Sequence, residues 1–117
     1  MNFNEAVREL LEGCPGAQGA AIVDPDGIPV SVVPSGEGID ALGAELATIV
    51  RGVDDAGREF NHGRLEQFSV FTERSVVILT IMASGYFLLL IMNRGGMIGK
   101  ARFLSRLTRE RLYSEFI

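Results

Sequence analysis

Residues 76–92 form a run of 17 without a single charge, bounded by Arg74 and Arg94. Such a run either crosses a membrane or lies deep inside a folded domain. A membrane helix needs about 20 apolar residues to span roughly 30 Å of hydrocarbon, so this run is at the short limit. Val76, Val77, Ile78, Thr80 and Ile81 are β-branched and favour strand, and Ala83-Ser84-Gly85 falls where a turn belongs. The run therefore divides into two consecutive strands, residues 76–82 and 86–92. Neither alternates apolar with polar residues, so both must be covered on both faces.

The remaining pattern supplies the cover. Phe3, Val7, Leu10 and Leu11 recur at helical spacing, with Asn2 or Asn4 as cap and Gly13 and Pro15 as terminators, so a short helix is expected over residues 3–12. Residues 17–23 read as a strand. Asp24-Pro25-Asp26-Gly27 turns the chain, and residues 28–33 return as a strand that Pro29 confines to a sheet edge. Residues 39–60 are helical: Leu42, Leu46, Ile49, Val53, Ala56 and Phe60 make one apolar stripe. Residues 65–71 are a mixed strand, and a last helix is expected over residues 98–113, with Ala101, Leu104, Leu107 and Leu112 apolar. The expected fold is α/β of the α+β type, a single domain over residues 1–117. It has three α/β/α layers: a five-stranded antiparallel sheet with the long helix on one face and the two terminal helices on the other.

Two features point to association. Residues 65–71 hold one charge, Glu66, and no proline, so as an edge strand they are weakly defended against pairing with another chain. A second line on the long helix, Gly43, Ala47, Val50, Asp54 and Gly57, is mostly small. Such a line sits against the chain's own sheet or lets a partner helix approach closely. The candidate dimer interface is accordingly Gly43, Ala47, Val50, Asp54, Gly57, Leu65, Gln67, Ser69 and Phe71, with the edge strand pairing across a two-fold axis.

Reactive chemistry is sparse. Cys14 and His62 are the only residues of their kinds, so no internal disulfide and no Cys/His metal cluster is expected. Asp24 and Asp26 flank Pro25 in a turn, where carboxylates cap backbone N–H groups, and Asp54 and Asp55 point in different directions on a helix. Gly95-Gly96-Met97-Ile98-Gly99-Lys100-Ala101 follows a strand and opens a helix. It misses the phosphate-binding loop twice, with three residues between Gly95 and Gly99 where four are required, and Ala101 where a hydroxyl must hold Mg²⁺. Ser35-Gly36-Glu37-Gly38 also precedes a helix, but Glu37 would repel a phosphate. No catalytic residue, cofactor or metal is expected, and the chain does not read as an enzyme.

Charge is unevenly placed. Residues 1–60 hold three bases against eleven acids, and residues 61–117 hold eight bases against four acids. The acidic total argues against general nucleic-acid binding. The start, MNFNEAVREL, has acids and no basic stretch before an apolar run, so no signal peptide is expected and the location is expected to be cytoplasmic.

Three segments, in order and at matching spacing, resemble the Roadblock/dynein light chain family: CPGAQGAAIVDPDGIPV (residues 14–30), GRLEQFSVFTERSVVILTIMASGYFLLLIM (residues 63–92) and GMIGKARFLSRL (residues 96–107). The chain is also similar to the MglB-type activators of Ras-like polarity GTPases within that family. The resemblance implies a homodimer, or a dimer with a paralogue, built from the long helix and the middle edge strand. It also implies no catalytic residues of its own and a Ras-like small GTPase as partner. On the long helix, Glu45, Arg51, Asp54, Asp55 and Arg58 are the candidate partner-binding residues. Either arginine is a candidate finger for a neighbour's nucleotide, or else simply pairs with Asp54, Asp55 or Glu45. The alternative role is a structural adaptor for a scaffold or motor subunit, blind to nucleotide state.

Overall fold

The computed structural model describes residues 2–36 and 38–116, so Glu37 lies outside the described residues. Asn2 starts α1 (Phe3–Gly13), its side chain accepting the Glu5 N–H at 2.8 Å. There follow β1 (Ala17–Val23), β2 (Pro29–Val33), α2 (Ile39–Glu59), β3 (Gln67–Phe71), β4 (Ser75–Ile81), β5 (Phe87–Asn93) and α3 (Ile98–Arg111). Short 3₁₀ turns occupy Ala83–Gly85 and Tyr113–Phe116. The sheet order is β2-β1-β5-β4-β3, and each neighbouring pair is antiparallel. The uncharged run is thus the β4–β5 hairpin at the heart of the sheet. No described helix is long and apolar enough to cross a membrane.

The two-faced strands dictate the layers. Val76, Ile78, Met82, Leu88, Leu90 and Met92 point to one side and pack with Val7 and Leu10 of α1 and Ala101 of α3. Val77, Leu79, Ile81, Phe87 and Leu89 point to the other and pack with Ile39, Leu46, Ala47 and Val50 of α2. Each fully buried branched or aromatic side chain contributes about 1.5–3 kcal/mol, so this hairpin supplies much of the drive for folding. Gln67 ties β3 into the stack by donating to Thr80 Oγ1 at 3.0 Å and to the Arg102 carbonyl at 3.1 Å.

Two helices face differently from the sequence expectation. In α2 only the first part of the stripe faces inward: Leu46 is buried and Leu42 half-buried, whereas Ile49, Val53, Ala56 and Phe60 are exposed. The line Gly43, Ala47, Val50, assigned above to a partner interface, is buried on the chain's own sheet. The cause is the closeness of α2 to β1. A Cβ on Gly43 would lie 2.9 Å from Val23 Cγ2, so only a glycine admits the helix at that height. In α3, Leu107 is exposed and Leu104 half-buried, and the inward row is Ala101, Ser105, Thr108 and Leu112. Thr108 satisfies its hydroxyl on the Leu104 carbonyl at 2.8 Å.

Two outcomes follow from this packing. Gly43→Leu is expected to lower unfolding stability by about 1–3 kcal/mol through overpacking, read from urea melts, with Val23→Ala in the same chain recovering part of the loss. Cys14 is buried, and burial raises its thiol pKa against a smaller lowering by Lys100. A buried thiol held protonated is inert. Ellman's reagent is therefore expected to modify Cys14 only as fast as the chain unfolds.

Candidate interaction surface

The outward flank of α2 carries Ile49, Val53 and Phe60, exposed by 49%, 40% and 68%. Large apolar residues gathered on one flank of a helix mark a contact surface more than the same residues scattered singly. Below this flank the sheet is thinly covered: Leu65, Phe68, Val70 and Ile91 are only half-buried against the α2-side core. A cleft of about 310 Å³ runs between Val53 and Gly57 of the helix and residues 62–67. Among the described residues β3 is paired with β4 alone, so its outer backbone edge is open.

Register decides which β3 side chains look which way. Gln67, Ser69 and Phe71 pair with Thr80, Ile78 and Val76, which face α1 and α3. Gln67 is engaged inward by its two hydrogen bonds, and Phe71 is exposed with the Arg94 guanidinium 5.2 Å from its ring centroid. The α2 side of β3 is instead Phe68 and Val70. The open strand edge, Leu65 and the apolar flank of α2 therefore come together, while Gly43, Ala47 and Val50 lie beneath the helix. Ile49, Val53, Phe68 and Val70 were not among the sequence candidates. Their signal was the β4 register for the strand, and the glycine spacing for the helix.

The charged candidates divide as well. Asp54 is largely buried, accepts the Leu65 N–H at 2.8 Å and pairs with Arg58 at 3.0 Å, so it pins the approach to β3 onto α2. Gly57 sits at the same place, where a Cβ would come 3.0 Å from the Gly63 carbonyl oxygen. Arg58 also reaches Asp55 at 3.2 Å. Arg51 donates to the Pro25 carbonyl at 2.8 Å and clamps the β1–β2 turn onto the helix. Glu45 is exposed and in no ion pair among the described residues. Both arginines thus have partners within the chain, although exposed pairs of this kind hold by only about 0–1 kcal/mol and exchange readily.

The other motifs serve the fold. Asp24 Oδ1 accepts the N–H groups of Asp26 and Ile28, both at 2.9 Å. The glycine run before α3 is occupied by the chain itself. A Cβ on Gly16 would lie 2.7 Å from Gly96 Cα, and the Met97 N–H donates to the Pro15 carbonyl at 3.3 Å. Cys14 is in the core on the α1 side, whereas His62 is exposed in the loop after α2. Among the described residues no group of three His, Cys, Asp or Glu is placed to hold a metal ion.

Solved structures share this architecture. A Roadblock/LC7 domain from Streptomyces avermitilis superposes with a TM-score of 0.89 at 16% identity, covering 98% of each chain. Myxococcus xanthus MglB gives 0.87 at 17% identity, covering 97% of this chain and 93% of that one. The gliding protein MglB of Thermus thermophilus gives 0.80 at 18% identity, with coverages of 97% and 90%. At such identities the likeness establishes fold alone. No curated protein matches the sequence. Residues 3–92 match the Roadblock/LC7 domain, and the chain belongs to that family.

Proposed function

We propose that the chain is a non-catalytic dimeric module that binds a Ras-like small GTPase and modulates its nucleotide cycle. The observation that carries the reading is the exposed apolar flank of α2 set directly beside an open edge strand, on a Roadblock/LC7 fold similar to MglB. Two copies related by a two-fold axis would pair β3 with β3 and extend the sheet through the dimer. Ile49 and Val53 would then meet their symmetry mates and cover Phe68 and Val70. The hydrogen bonds of the new strand pair give register, and the apolar contacts give most of the free energy.

The GTPase surface proposed is the solvent side of the paired long helices, around Glu45, Asp55 and the Arg51 and Arg58 head groups. Action on the nucleotide cycle would come through the partner's own loops, because Arg51 and Arg58 are held by Pro25, Asp54 and Asp55. That same engagement favours a second reading, an adaptor for a scaffold or motor subunit that holds its partner regardless of nucleotide.

Sedimentation is expected to give a mass near twice the 12.7 kDa chain. Ile49→Glu with Val53→Glu is expected to return it to one chain mass, since the carboxylates would be buried unpaired. Mixed with a Ras-like GTPase, the dimer is expected to change GTP turnover or nucleotide exchange and to bind the GTP and GDP forms unequally. Equal binding to both forms with unchanged rates selects the adaptor reading, and no complex at all contradicts both.

A further inference from the structure

On the face of the sheet opposite α2, α3 presents a second uncovered apolar pair. Phe103 and Leu107, one helical turn apart, are exposed by 55% and 43%. They are outward because the inward row is Ala101, Ser105, Thr108 and Leu112, on the other side of the helix. Lys100, Arg102 and Arg106 flank the pair; all three are exposed and none is in an ion pair among the described residues. Gln67 takes the Arg102 backbone carbonyl and leaves its guanidinium to solvent. Residues 98–111 hold five bases against one acid, Glu110, in a chain whose total is net acidic.

We infer that this face of α3 docks an acidic amphipathic helix of a partner protein. The docked helix would set apolar residues on Phe103 and Leu107 and carboxylates toward Lys100, Arg102 and Arg106. The charge pattern of the same layer decides between this occupant and an anionic lipid surface. α1 lies beside α3, joined by the Glu9–Arg111 ion pair at 3.0 Å and close at Gly13, where an added Cβ would lie 3.6 Å from Leu104 Cδ1. Its exposed carboxylates are Glu5, Glu9 and Glu12. A flat bilayer laid on this layer would meet those carboxylates as well as the bases, and at the Glu9–Arg111 pair acid and base are only 3.0 Å apart, well inside a Debye length of about 8 Å. A single helix, about 10–12 Å across, can rest on α3 alone. The acids of α1 then repel its misplacement and help set its line. Because α3 and α2 cover opposite faces of the sheet, a partner on the solvent side of α2 leaves this site open, and it does not depend on the GTPase reading.

The probe is a fluorescein-labelled helical peptide of about 20 residues, long enough to be helical in water. It carries leucines at i, i+3, i+4 and i+7 and glutamates on the flanks; a lysine-for-glutamate version and phosphatidylserine vesicles serve as controls. Fluorescence anisotropy is expected to show micromolar binding of the acidic peptide, weakened by added salt. The double variants Arg102→Glu with Arg106→Glu, and Phe103→Ser with Leu107→Ser, are each expected to weaken it by about tenfold or more. Unchanged thermal melts of these surface variants establish that the fold is intact, and amide shifts in the NMR spectrum are expected to cluster between residues 99 and 111. The inference is overturned if the acidic peptide binds no better than the lysine version, or if it binds the variants as well as the parent. It is likewise overturned if the vesicles are captured through these residues while the peptide is not.

Discussion

The depth at which α2 sits on β1 governs the rest of the molecule. Gly43 stands over Val23 with no room for a methyl group, and Ala47 and Val50 continue the contact along the same line. A helix seated by its small residues lies close to the sheet, and its bulkier stripe is rotated away from Ile49 onward, while Leu42 and Leu46 still pack inward. Ile49, Val53 and Phe60 therefore face solvent because of a packing constraint on the opposite side of the same helix. Arg51 and Asp54, one turn apart just past Val50, hold this rotation, one through the Pro25 carbonyl and the other through the Leu65 N–H.

The core hairpin makes that arrangement possible. β4 and β5 bury side chains on both faces, so they demand a layer above and a layer below. α1 and α3 together cover one face, while α2 alone covers the other and leaves the β3 side of it thin. The asymmetry places half-buried apolar residues, an unpaired strand edge and an exposed helix flank at a single corner. Cys14 is sealed in the core, and the glycine run before α3 is filled by the Pro15–Gly16 backbone.

Much of this was legible in the residues. The uncharged run split at Ser84-Gly85, the Asp24–Gly27 turn and the caps located the elements to within a residue or two, and two-faced strands implied three layers. Facing was less legible. Periodicity ranks a helix face by hydrophobicity, so it picked Ile49 and Val53 over Gly43 and Ala47, whereas the distance between helix and sheet picks by size. Serine and threonine misled in the same manner on α3, where Ser105 and Thr108 are buried and Leu107 is not. The β3 side chains alternate about a register set by β4, which lies in the partner strand and not in residues 65–71 themselves. Helical spacing allows the long-helix arginines to pair with neighbouring acids, and Arg58 does so with Asp54 and Asp55. The Arg51 bond to the Pro25 carbonyl and the Asp54 bond to the Leu65 N–H instead depend on residues far along the chain.

One corner of the molecule is proposed as a self-complementary surface, from which partner binding on the paired helices would follow. Isotope-filtered NMR on a mixture of labelled and unlabelled chains tests this most directly. Intermolecular NOEs are expected to link the Ile49 and Val53 methyl groups to their counterparts and to Phe68, together with amide contacts between β3 and β3. Absence of intermolecular NOEs at this corner, in a sample whose mass is that of a single chain or whose contacts map elsewhere, would contradict it.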